Sequence, residues 1–195
     1  MPLIKSYLQQ FPQDYEPAVL EIGVDRGVTL VALVAFLART RPKFVALGID
    51  IMIQEPVDIL LRNLDLQKDQ TVQLTQANSL EVIPMIVEQK VKFDVVLIDG
   101  DHNYFTVSEE LKHLEDITFK NSIVVIDDYE GRWSERDLFY ADRPGYEDVK
   151  CATAKVDTEK HGVKPAVDEW LVSHPWWKKS QPVNGEPVLL MRQDT

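Results

Sequence analysis

Two short β-branched runs, each stopped by acids, constrain this chain more than any other feature. Val95-Val96-Leu97-Ile98 is followed by Asp99-Gly100-Asp101, and Ile123-Val124-Val125-Ile126 by Asp127-Asp128. Unbroken apolar runs of this length mark strands buried on both faces, as in a parallel sheet covered by helices. In open α/β sheets ligands bind beyond the carboxyl ends of the strands, which is where these acids fall. Two neighbouring strands of this kind bring Asp99, Asp101, Asp127 and Asp128 to one rim, where like charges raise one another's pKa values. A hard divalent cation with oxygen ligands relieves that conflict. A single acid after a strand is more simply a turn or helix cap, whereas two matched strand ends point to a site.

The rest of the chain supplies a setting for those strands. Ala18 to Ile22 reads as a first strand, Gly23 to Gly27 as a tight turn, and Val28 to Thr40 as a helix apolar nearly all round. Phe44 to Ile49 is a second strand ending at Asp50. Val57, Leu60, Leu61 and Leu64 have the i, i+3, i+4, i+7 spacing of an amphipathic helix. A weaker strand at Thr71 to Thr75 and a helix through Leu80, Ile83 and Val87 follow. Thr106-Val-Ser-Glu109 has the form of a capping box, opening a helix to about Asp116. This alternation predicts a parallel sheet with right-handed crossovers. It breaks at Glu130. Residues 130 to 160 are polar and irregular, dotted with Trp133, Phe139, Tyr140 and Tyr146, and a loop of that length is read as a lid or substrate insertion. Helical spacing resumes from Val163 to Leu171. Asn184-Gly185, between Trp176–Pro182 and Val188–Met191, signals a hairpin and hence an antiparallel last strand. Residues 1 to 17, with three prolines, read as a lead-in.

Composition narrows the partners. The 195 residues suit one domain, 1–195, and a formal net charge of −11 disfavours nucleic acid and anionic membranes. Cys151 is the single cysteine, which excludes a disulfide framework or a cysteine zinc site and fits a cytoplasmic protein. No apolar stretch is long enough to span a bilayer, and Met1 to Gln10 lacks the regions of a signal peptide.

Glu21-Ile-Gly-Val-Asp-Arg-Gly27, between a strand and a helix, is a nucleotide-site signature of low specificity. Its glycines allow close approach of backbone to ligand. It is not the dinucleotide Gly-x-Gly-x-x-Gly pattern, and the Asp25 carboxylate would repel a pyrophosphate. A ligand with a cationic amine and no phosphate suits it better. Asp50 is placed to accept both hydroxyls of a ribose.

With these pieces in place, the chain resembles a class I S-adenosylmethionine-dependent methyltransferase. More narrowly it resembles the macrocin-type and aminocoumarin-type sugar O-methyltransferases, some of which carry the label cephalosporin hydroxylase. The likeness rests on Glu21 to Gly27, Gly48-Ile-Asp50, Leu97-Ile-Asp-Gly-Asp-His102, Val124-Val-Ile-Asp-Asp-Tyr129 and Gly162 to Trp170, and it spans residues 18 to 192. It implies a Rossmann-like α/β fold, a seven-stranded, mostly parallel sheet with an antiparallel C-terminal strand and helices on both faces. It also implies that Glu21, Gly23, Gly27, Asp50, Asn78, Ser79 and Asp99 surround the S-adenosyl-L-methionine cofactor. Asp99, Asp127 and Asp128 match magnesium (Mg2+) ligands, and Asp101 matches a general base.

The chemistry such a site requires is modest. Methyl transfer is an in-line displacement, so a hydroxyl must be aligned, its pKa lowered by a cation and its proton taken by a base. Asp101 is the favoured base and His102 its rival. His113, His161 and His174 read as solvated or helix-end residues, and Arg132, Arg136 and Arg143 as a solvated face. Trp170, Trp176 and Trp177 read as core or as the contact of a homodimer. The expected partner is a small hydroxylated acceptor. A non-catalytic S-adenosylmethionine-binding protein and a nucleotide-binding oxidoreductase are the alternatives.

Overall fold

The β-branched runs assemble into one seven-stranded sheet in the computed structural model, which describes residues 1–180 and 187–193. In chain order the elements are α1 (Pro2–Leu8), β1 (Ala18–Ile22), α2 (Val28–Thr40), β2 (Phe44–Asp50), α3 (Glu55–Arg62), β3 (Gln70–Gln76), α4 (Ser79–Glu88), β4 (Phe93–Ile98), α5 (Tyr104–Lys112), β5 (Thr118–Ile126), α6 (Val163–Ser173), β6 (Trp177–Ser180) and β7 (Val188–Arg192). The strand order is β3-β2-β1-β4-β5-β7-β6. Strands β1 to β5 are mutually parallel, while β7 runs antiparallel to both β5 and β6. This is the expected Rossmann-like architecture. The Asn184-Gly185 turn lies outside the described residues.

The sheet separates two apolar cores, and β4 feeds both. Val95 and Leu97 join Leu30, Leu33, Leu37 and Val57 from α2 and α3 on one face; Val96 and Ile98 join Ile83, Val107, Leu111 and Val167 from α4, α5 and α6 on the other. Every position from Phe93 to Ile98 is buried, so an uninterrupted apolar run is what this strand needs. A register shift between Phe93 and Val95 places those two residues in different cores despite their spacing of two. Among the described residues no helix is long and apolar enough to cross a membrane.

Three local readings change. Helix α5 begins at Tyr104, not Thr106: the Asn103 side chain accepts the Thr106 amide at 2.7 Å, so the first turn is already built when the Thr106–Glu109 box arrives. Glu109 pairs instead with Lys112, and the helix stops at Lys112. Strand β5 starts five residues earlier than its apolar run, at Thr118, with Asn121 in the left-handed region at φ 66°.

The third change is at the N-terminus, where the lead-in contains a helix. Pro2 opens α1, a position where its missing amide costs nothing, and Ile4 and Leu8 are buried in the core that α2 lines. The fastening is Arg41. Its guanidinium, on a residue 3% exposed, donates to the carbonyls of Leu8, Phe11 at 3.1 Å and Pro12 at 2.5 Å. Arg41→Met is therefore expected to lower stability by roughly 2–3 kcal/mol, because charge-assisted bonds are lost and buried acceptors stranded. The check is a lower urea midpoint with an unchanged m-value; an unshifted midpoint would refute the fastening.

Candidate functional site

The carboxyl ends of β1, β2 and β4 are sewn together at Gly23. Its amide donates to the Ile49 carbonyl at 2.8 Å, and the Asp99 amide donates to Ile22 at 2.8 Å. Gly23 has φ 87°, and a Cβ there would lie 2.0 Å from the Asp99 carbonyl oxygen, so only glycine can occupy the position. The turn continues through Asp25, at φ 44°, and ends at Gly27, the N-cap of α2. Asp50 secures it from β2. Asp50 Oδ2 accepts the amides of Val24 and Asp25, each at 2.7 Å, and Oδ1 accepts that of Met52 at 2.7 Å. A carboxylate has about four acceptor sites. Three are taken here, so Asp50 retains about one for a ligand rather than the expected bidentate pair.

Above this seam lies a partly open cavity, narrow in this form. Gly23, Asp50, Asn78, Ser79, Asp99 and Asp101 line it, together with Thr106, Tyr140, Tyr146 and Thr153. Gly27 does not; it faces the Val57 methyls across the turn. Glu21 lies beneath the turn, 2% exposed, beside Asp99 in an adjoining cleft. Burial first, then the Asp99 and Asp50 charges, push its pKa up to about 8. Asn78 has two structural tasks: its side-chain oxygen caps α4 through the Leu80 amide at 2.9 Å, and its side-chain amide reaches Cys151 O at 2.9 Å and Thr153 Oγ1 at 3.0 Å.

The acid rim stands beside the cavity. Ile98 and Ile126 are paired residues of β4 and β5, so Asp99 and Asp127 leave the sheet side by side. The Asp99 carboxyl is pushed up to about 8, by loss of hydration, by the charge of Asp127 and a hydrogen bond with it, and by Asp128 and Asp25. Since 46% of its side chain reaches solvent, the crowding of like charge is the cause specific to this rim. His102 sits between the acids. It is 7% exposed, with Nε2 3.7 Å from Asp99 Oδ1 and Nδ1 3.5 Å from Asp128 Oδ2. Burial lowers its pKa, against the pull of Asp128 and Asp127, which favours the neutral imidazole. The oxygens of Asp99, Asp127 and Asp128 suit a hard cation chemically, but among the described residues no three His, Cys, Asp or Glu side chains are gathered into a cage for one.

Asp101 turns away from that rim. Its Oδ1 accepts the Tyr140 amide at 3.0 Å and Oδ2 the Thr106 hydroxyl at 3.4 Å. Burial raises its pKa while those bonds, and others from Thr153 and Asn103, pull it back. Its neighbours on the cavity wall include Asn78 and Ser79. As wall residues, Thr106 was legible only as a capping residue and Thr153 carries no pattern of its own; Tyr140 and Tyr146 were visible only as aromatics in an irregular stretch. Trp170 and Trp177 are core residues, and Trp176 and Trp177 share Glu115 as acceptor. His174 caps α6, its Nδ1 2.7 Å from the Trp170 carbonyl, and His161 pairs with Asp137 at 2.6 Å.

The family described as Methyltransf_24, a methyltransferase domain, matches residues 20–129. No curated protein sequence matches the chain. Among solved structures, a candidate O-methyltransferase from Klebsiella pneumoniae superposes with a TM-score of 0.59 at 15% identity, over 98% of this chain and 79% of that one. A candidate rRNA-methylase from Clostridium thermocellum gives 0.58 at 15% identity, over 99% and 95%. MycE methyltransferase from the mycinamycin biosynthetic pathway, in complex with Mg, SAH and mycinamycin VI, gives 0.57 at 16% identity, over 98% of this chain and 49% of MycE. At such identities the superpositions speak for the fold. The family match covers more than half of the chain and takes in the glycine turn, Asp50 and both acid-tipped strands, and the chain belongs to the methyltransferase domain family, in its class I, S-adenosylmethionine-dependent form.

Proposed function

We propose that this methyltransferase acts on a hydroxyl of a small sugar-type or natural-product-type metabolite, with magnesium held by Asp99, Asp127 and Asp128. The observation that carries the proposal is the pair of acid-tipped strands, β4 and β5, meeting in register beside the cavity. The complex of MycE, a fold neighbour, with Mg, SAH and mycinamycin VI supports the same combination, as does the resemblance to the macrocin-type and aminocoumarin-type enzymes. In this reading Gly23, Asp50, Asn78, Ser79 and Asp99 form the cofactor wall, with Glu21 and Gly27 supporting the turn from beneath and beyond.

S-adenosylmethionine, when bound, supplies the methyl as an electrophilic carbon on a sulfonium sulfur. Magnesium, when bound, supplies Lewis acidity that orients the acceptor hydroxyl and lowers its pKa. The protein's own contribution is alignment, exclusion of water and removal of a proton. Tyr140 and Tyr146 bring the 130–160 segment over the cavity as its cover. His102 takes the proton: its buried, neutral ring lies between Asp99 and Asp128, and Asp128 stabilises the imidazolium that results. Asp101, which lines the cavity, is the rival base; it accepts from the Tyr140 amide and the Thr106 hydroxyl and so also ties the cover to the cavity wall.

Transfer of a labelled methyl from S-adenosylmethionine to a panel of glycosylated macrolides, aminocoumarins and free sugars tests the reading. The expected product is an O-methyl ether, formed only with a divalent cation. Turnover that survives exhaustive chelation would contradict the metal, and label on carbon or nitrogen would contradict the hydroxyl. With an acceptor in hand, His102→Gln should lower turnover by about 10²–10⁴-fold while S-adenosylhomocysteine still binds, and Asp101→Asn should chiefly lower stability and cofactor affinity. The reverse pattern would return the base to Asp101.

A further inference from the structure

Glu110 is a carboxyl group enclosed by protein on the inner face of α5. It is 1% exposed and lies one helical turn after Thr106, a residue of the cavity wall. Its Oε1 is 2.6 Å from the hydroxyl oxygen of Ser79, itself on the cavity wall. Its Oε2 is sealed from solvent and has no partner among the described residues. A carboxylate in such a place is costly, and burial of this kind is relieved by taking up a proton. Burial accordingly raises the Glu110 pKa to about 8, against the Ser79 hydrogen bond and with help from the Asp101 charge. Asp101, from the turn after β4, is the charge that faces it; α4 presents the neutral Ser79, and α6 turns Val163, Ala166, Val167 and Trp170 inward.

Protonation reverses the sense of the Glu110–Ser79 bond. An ionised Glu110 can only accept, which uses the Ser79 hydrogen and leaves only lone pairs facing the cavity. A neutral Glu110 with its proton on Oε2 would bury an unpartnered donor, whereas a proton on Oε1 is given to Ser79 Oγ. The Ser79 hydrogen is then free to point into the cavity. We propose that Glu110 works as a neutral acid that turns the Ser79 hydroxyl into a donor toward an acceptor atom of the nucleoside bound in the cavity. Ser79 makes the contact, and Glu110 is the positioning residue behind it. This rests on the reading of the cavity as the nucleoside site.

The test is calorimetric affinity for S-adenosylhomocysteine, at pH values from well below to well above 8, in the wild-type chain, Glu110→Gln and Ser79→Ala. The glutamine amide donates to Ser79 at every pH, so Glu110→Gln should match wild type at pH 7. Above the Glu110 pKa of about 8, wild type should weaken relative to the glutamine variant. The loss should be on the order of 5-fold, the worth of one neutral hydrogen bond. Titration of the ligand's own amine and of the acid rim is common to both proteins, so the ratio isolates Glu110. Ser79→Ala should be weaker than wild type by a similar factor at pH 7 and converge with it at high pH. That second comparison stands even if the glutamine variant folds poorly. A ratio of wild type to either variant that is independent of pH would overturn the proposal, as would wild-type affinity in Ser79→Ala. Failure of the wild-type chain to bind S-adenosylhomocysteine at any pH would instead overturn the nucleoside reading beneath it.

Discussion

The contact between Gly23 and the backbone of Asp99 is the constraint on which the site depends. The end of β1 lies so close to the end of β4 that a single methyl group at position 23 would collide with a carbonyl. Because glycine permits that approach, the chain can turn over the sheet edge and offer its amides to the Asp50 carboxylate. The same approach brings Asp99 to the cavity and sets Asp127 beside it through the Ile98–Ile126 pairing. Strand pairing therefore fixes the acids' backbones, and side-chain contacts decide only where each carboxylate points.

Charge explains what the site favours. Asp25, Asp50, Asp99 and Asp101 all border one cavity in a chain of formal net charge −11. A phosphate there would meet repulsion, while a sulfonium, an ammonium or a metal ion would relieve it. The acids do not behave alike. Asp50 is satisfied by three backbone amides, and Asp101 by Tyr140 and Thr106, whereas Asp99 is held against its own kind. Buried Glu21 and Glu110, their pKa values both near 8, extend the pattern as neutral acids behind the wall. Environment gives six or more carboxyl groups of one chemistry several distinct roles.

What the sequence disclosed follows from how local each cause is. The β4 run and the glycine turn are contiguous, and their burial and φ demands are written in adjacent residues. The start of α5 was misplaced because Asn103 and Thr106 are both capping residues, and only the backbone path shows which is used. Helix α1 was hidden because the Arg41 side chain that anchors the following segment lies some thirty positions away. The cavity wall from Tyr140 to Thr153 comes from an irregular stretch with no period to read; it is placed by Asp101 and Asn78. Asp101 and His102 are adjacent, so sequence alone could not say which faces the rim.

The most direct test of the central assignment, that the Gly23–Asp50 seam is a methyl-donor site, is a melting-temperature series with S-adenosylmethionine, S-adenosylhomocysteine and NAD. Ligand at about 100 times its dissociation constant stabilises by roughly 2.7 kcal/mol, which for a domain of this size is a rise of about 5–10 °C. That rise is expected with S-adenosylmethionine and its demethylated product, and none with NAD, whose pyrophosphate meets Asp25 and Asp50. A rise with NAD and none with either sulfur compound would contradict it.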